Sequence, residues 1–112
     1  MRDDVDIVPA TAALAAAWFG GPPPFTMKGC VAVKADQPVA IFGVYWIDGT
    51  PMAFSEWVPE LGVRDRVRCF REGEKVLRSV PGTMYAEPHP GQATTLLERL
   101  GFVPSGDLMV RA

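Results

Sequence analysis

The sequence predicts a single α/β (α+β) domain, with a mixed, mostly antiparallel sheet flanked by helices. Three observations lead there. The chain has 112 residues, enough for one core and too few for two domains. Its hydrophobic period changes along the chain in the order strand, helix, three strands, helix, strand, helix, strand. Hairpin signals fall early and a βαβ-like pattern falls late, which implies both antiparallel and parallel pairing. Apolar residues make up 48% of the chain, which excludes a disordered segment.

Residues 5–8 are short and β-branched, and Pro9 stops them, so they read as a first strand. Thr11 can cap a helix over residues 12–19, almost all alanine with Leu14, Trp18 and Phe19 as its bulky members. Gly20-Gly21-Pro22-Pro23-Pro24 ends it in a stiff loop. Residues 30–34 read as a second strand, and Asp36-Gln37-Pro38 as the turn after it. The apolar run over 39–47 has the length and the β-branched and aromatic content of a central strand buried on both faces. Asp48-Gly49 is a hairpin signal, and residues 52–58 return between Pro51 and Pro59.

Val63, Val67, Phe70, Val76, Leu77 and Val80 then fall on one side of a helix that Pro81-Gly82 closes. Gly73 weakens that helix by about 1 kcal/mol relative to alanine. Residues 83–86 read as a short strand. Ala93, Leu96, Leu97 and Leu100 define a short amphipathic helix with Gly101 as its C-cap, and residues 108–111 read as a last edge strand.

Composition narrows the function classes. A net charge of −2 does not fit a general nucleic-acid binder. No segment reaches the roughly 20 apolar residues that span a bilayer. The acidic start Met1-Arg2-Asp3-Asp4 lacks the basic region of a signal peptide. The expectation is a soluble, cytoplasmic protein. Cys30 and Cys69, on a strand and a helix, read as reduced, mostly buried thiols. Together with His89 they cannot supply a zinc site, so no metal is expected.

The C-terminal motif carries a resemblance. Residues 90–102 read Pro-Gly-Gln-Ala-Thr-Thr-Leu-Leu-Glu-Arg-Leu-Gly-Phe. This frame resembles the N-x-x-A-x-x-x-Y-E-K-L-G-F helix of the Gcn5-related N-acetyltransferase (GNAT) family, with Ala93, Glu98, Leu100, Gly101 and Phe102 matching. The element order is similar too, with that family's second helix missing or reduced. Trp46-Ile47-Asp48-Gly49-Thr50 and Phe70-Arg71 look similar to small acetyltransferase-like proteins of short-tailed bacteriophages, some of them internal to the virion. That narrower likeness implies a phage or prophage origin, with the host cytoplasm or the virion as location.

The resemblance implies acetyl-CoA as cofactor, held by a Q/R-x-x-G-x-G/A loop. The corresponding residues 58–66 contain one glycine, Gly62, with Val58 at the start and the acids Glu60 and Asp65 nearby. Arg64 and Arg66 are the candidate phosphate ligands. A tyrosine serves the family as acid toward the leaving thiolate; Leu97 stands there and cannot donate a proton. The family's asparagine is replaced by Pro90. Glu56 takes the place of the general base, or is a strand-end glutamate in solvent; by alternation it shares a face with Met52, Phe54 and Val58. Tyr85 is the candidate substitute acid, or a core tyrosine.

The reading is therefore a degenerate acetyltransferase-like protein, acting as a binding or structural component without a cofactor. The alternative is an acetyl-CoA-dependent N-acyltransferase. Arg64, Arg68, Arg71, Lys75 and Arg78 form a basic stripe for an acidic partner, or a solvated face partly neutralised by Glu72 and Glu74. Trp18, Phe19, Pro22 to Pro24 and Phe25 form an apolar corner that can dock another subunit or cover the sheet.

Overall fold

The computed structural model describes residues 5–23, 25–88 and 95–112, with backbone only at Thr95 and Leu96. Among them run β1 (Asp6–Pro9), α1 (Ala12–Phe19), β2 (Thr26–Lys34), β3 (Gln37–Ile47), β4 (Thr50–Trp57), α2 (Val63–Arg78), β5 (Met84–Ala86), α3 (Thr95–Arg99), β6 (Val103–Ser105) and β7 (Leu108–Arg111). The strands make one seven-stranded sheet in the order β1-β2-β3-β4-β5-β7-β6. All neighbours pair antiparallel except β4 and β5, which run parallel. The architecture is an α+β domain with a mixed sheet. Among the described residues no helix is long and apolar enough to cross a membrane.

Local chemistry explains the element ends. Thr11 accepts a hydrogen bond from the Leu14 N–H at 3.2 Å, capping α1. Gly20 closes it in the left-handed region at φ 78°, and the Gly21 N–H reaches the Ala16 carbonyl at 3.0 Å. The same closure ends α3: Gly101 has φ 95° and the Phe102 N–H donates to the Leu97 carbonyl. Asp48 and Gly49, with φ 50° and 79°, form the tight turn between β3 and β4.

The sheet buries both faces unequally. Alternation puts Ala32, Ala40, Phe42, Val44, Met84, Ala86 and Met109 under α2 and α3, where Leu61, Cys69, Leu77 and Phe102 pack on them. The opposite face carries α1, whose Ala15, Leu14 and Trp18 pack on Val31, Ile41 and Phe54. Residues 40–44 of β3 are buried throughout, as expected for the central strand. Where β2 and β3 cross, Gly29 faces Gly43, and a Cβ on either would collide with backbone of the other strand.

Four expectations change. The β2–β3 turn sits at Ala35-Asp36, both with positive φ, and Gln37 and Pro38 already belong to β3. Residues 103–105 form β6, so residues 108–111 are an interior strand and not the edge. Val58 lies past the end of β4 and packs with Trp57 in the cluster under α2, away from the face that holds Glu56. The apolar side of α2 divides in two. Cys69, Val76 and Leu77 pack on the sheet, while Val63 and Val67 stay exposed at 68% and 44%. The division follows from Cys69 and Gly73, whose small size brings that side of the helix closest to Phe42.

Candidate functional site

The parallel pairing of β4 with β5 covers only Met52↔Tyr85 and Ala53↔Ala86. Beyond it β4 continues to Trp57, while the chain after Ala86 leaves the sheet through Glu87 and Pro88. A parallel pair that ends this early opens a gap, and α2 begins a few residues beyond the end of β4. The result is a cleft of about 1120 Å³.

Its walls are mostly apolar. Val63, Val67 and Phe70 face it from α2, and Leu97 and Leu100 from the C-terminal end. Cys69, Gly73 and Leu77 line it too, so the cleft runs along the core-facing residues of α2 as well as the exposed Val63 and Val67. Three guanidinium groups, on Arg66, Arg71 and Arg99, also line it. Among the described residues none of the three has an ion-pair partner. Unpaired cations beside apolar walls suit a ligand with an anionic head and a long apolar body.

The expected site residues scatter. Glu56 lines the cleft and is exposed to solvent at the end of β4. Arg66 lines it from the first turns of α2. Val58, Gly62 and Arg64 lie outside its lining. Gly62 is the N-cap of α2 with no side-chain cap, and it sits at an ordinary φ of −67°. Tyr85 is half-buried on β5, across from Met52, and also lies outside the lining. Glu56 is four positions along β4 from Met52, about 13 Å at the rise of a strand, so Glu56 and Tyr85 do not converge.

Near α2 the charges compensate one another. Asp65 does not face an incoming anion alone, because Arg68 pairs with it at 3.4 Å and donates to the Val5 carbonyl at 2.9 Å. Lys75 pairs with Glu72 and Arg78 with Glu74, which makes most of the basic stripe an internally compensated, solvated face. His89, Pro90, Gly91, Gln92, Ala93 and Thr94 of the motif, like Pro24 of the apolar corner and residues 1–4, lie outside the described residues, as does the side chain of Leu96. Among the described residues no cluster of His, Cys, Asp and Glu could hold a metal ion.

Tyr45, Phe54 and Arg99 are not site candidates in the sequence, and Arg71 enters there only in the basic stripe and in the Phe70-Arg71 likeness. Arg99 had one available signal, its place in the C-terminal motif. Phe54 and Tyr45 had none, because their meeting depends on the β3–β4 register. Compared with protein-family models, curated proteins and solved structures, the chain matches none.

Proposed function

We propose that the chain is an acetyltransferase-like binding protein whose cleft holds a ligand of the acyl-CoA class without turning it over efficiently. One observation carries this reading: the cleft at the parting of β4 and β5 joins apolar walls to Arg66, Arg71 and Arg99, which have no ion-pair partner among the described residues. An acyl-CoA offers the matching parts, phosphates for the guanidinium groups and an extended pantetheine and acyl arm for the walls. The element order and the 90–102 motif support the acetyltransferase-like build. Poor turnover follows from Leu97, which lines the cleft and has no proton to give a leaving thiolate, and from the distance between Glu56 and Tyr85. A virion-associated role is the narrower form of this reading. It rests on the likeness at residues 46–50 and 70–71, and detection of the chain in purified particles tests it.

A second reading, acetyl-CoA-dependent N-acylation, draws on the presence of Glu56 and Arg66 along one cleft. Glu56 would then take the proton of the attacking amine, with water as the acid.

Thermal unfolding with and without acetyl-CoA separates these readings. Ligand at 100 times its dissociation constant adds about 2.7 kcal/mol, on the order of 10 °C for a domain of this size. The double change Arg66→Ala and Arg71→Ala should weaken binding by about tenfold or more, as expected for lost charged hydrogen bonds. No shift with millimolar acetyl-CoA would remove both readings. Acyl transfer to amines that disappears in Glu56→Gln would move the conclusion to the second.

A further inference from the structure

The lining of the cleft also holds aromatic rings and the carboxylate of Glu56. On the face that carries α1, four aromatic rings touch in series. Phe19 meets Phe25 edge-on at 6.1 Å, Phe25 meets Tyr45 at 4.6 Å, and Tyr45 meets Phe54 edge-on at 5.5 Å. All four line the cleft and none is fully buried. The strand register explains how they meet. Phe54 pairs with Gly43 and Tyr45 with Met52, so Tyr45 and Phe54 share one face on adjacent strands. Gly43 also lines the cleft. The next residue on that face of β4 is Glu56, about 7 Å further on, exposed and without an ion-pair partner among the described residues.

We propose that this aromatic stretch, with Glu56 beside it, binds a small organic cation with apolar substituents, of the alkylammonium type. Ring faces carry the negative lobe of the aromatic quadrupole, so Tyr45 and Phe54, in contact with each other beside Glu56 on the same face, attract a positive charge together with its carboxylate. An anion would meet those faces and a carboxylate. A neutral apolar group would strip water from Glu56 and give it no partner in return. A metal ion would find a single carboxylate where it needs several oxygens. A cation carrying methyl or methylene groups satisfies the rings and the carboxylate together. The proposal does not depend on acyl-CoA binding.

The test uses choline and its neutral carbon isostere 3,3-dimethyl-1-butanol, without CoA present, followed by amide and methyl chemical shifts. Choline should saturate shifts around Tyr45, Phe54 and Glu56, with the alcohol at least about tenfold weaker. Glu56→Gln alters an exposed side chain and should leave the fold intact. It should lower choline affinity by about threefold to tenfold and leave the alcohol unchanged. Tyr45→Leu keeps apolar bulk at a half-buried position and should also weaken choline selectively. Equal binding of choline and the alcohol would reduce the site to an apolar hollow and overturn the proposal. So would the absence of shifts at these residues with choline on the order of tens of millimolar.

Discussion

Gly73 shows how much one side chain, or its lack, decides. Its propensity cost in mid-helix is about 1 kcal/mol, yet a Cβ there would sit 3.1 Å from Cδ2 of Phe42. Alanine gains helix propensity and loses much of it to that crowding. Leucine cannot be accommodated, and Gly73→Leu should destabilise by about 1–3 kcal/mol in urea unfolding. The thiols make a second residue-scale case. Burial first, then the Asp65 carboxylate and the Cys30 thiol, pushes Cys69 up to about 11 from 9.0, with Arg68 pulling the other way. Burial, and then Glu72, raises Cys30 as well. The unfolded chain releases the Cys69 proton near pH 9.0, but the folded chain holds it to about 11. The stabilisation is therefore whole below pH 9.0 and is lost as pH rises toward about 11. Urea midpoints measured across that range should fall, and Cys69→Ala should flatten the slope. Both thiols should react slowly with disulfide reagents near neutral pH, with the buried Cys69 the slower.

At the scale of elements, α1 depends on its ends more than on its length. It has eight residues, too few for a helix to hold alone, so its Thr11 cap and Gly20 closure matter. Thr11→Ala should cost about 1 kcal/mol, read as a lower urea midpoint with an unchanged slope. These elements also mark what the sequence could tell. Thr11, Gly20 and Asp48-Gly49 act within a few residues, and each acts as its chemistry predicts. Ala35-Asp36 gave a weak turn signal because neither residue is glycine, so the turn was expected one position late. β6 was missed because Val103-Pro104-Ser105 is short, proline-broken and exposed. Gly106-Asp107, the two-residue loop after it, was the available sign of a hairpin. The exposure of Val63 and Val67 was hidden, because they share the apolar period of α2 with the buried Leu77.

At the scale of the molecule, one cluster joins both halves of the sheet. Val44 of β3, Leu77 of α2, Met84 and Ala86 of β5 and Met109 of β7 pack with Phe102, which is 1% exposed. Phe102→Ala should cost about 3–5 kcal/mol, a large part of the stability of a domain this size. Heat or urea unfolding of that variant measures it. The candidate site is a product of this scale too. Glu56 and Arg66 are candidates in the sequence and line the cleft, but the aromatic series and Arg99 come together only through tertiary packing.

The brief contact of β4 with β5 has a mechanical meaning as well. Among the described residues, only Met52↔Tyr85 and Ala53↔Ala86 stitch the β1–β4 meander to the C-terminal strands, so the backbone has a seam there. Deuterium should enter β5, β7 and β6 through sub-global opening long before it reaches the amides of β3. Under tension applied at the two termini, this seam is where the molecule should part first.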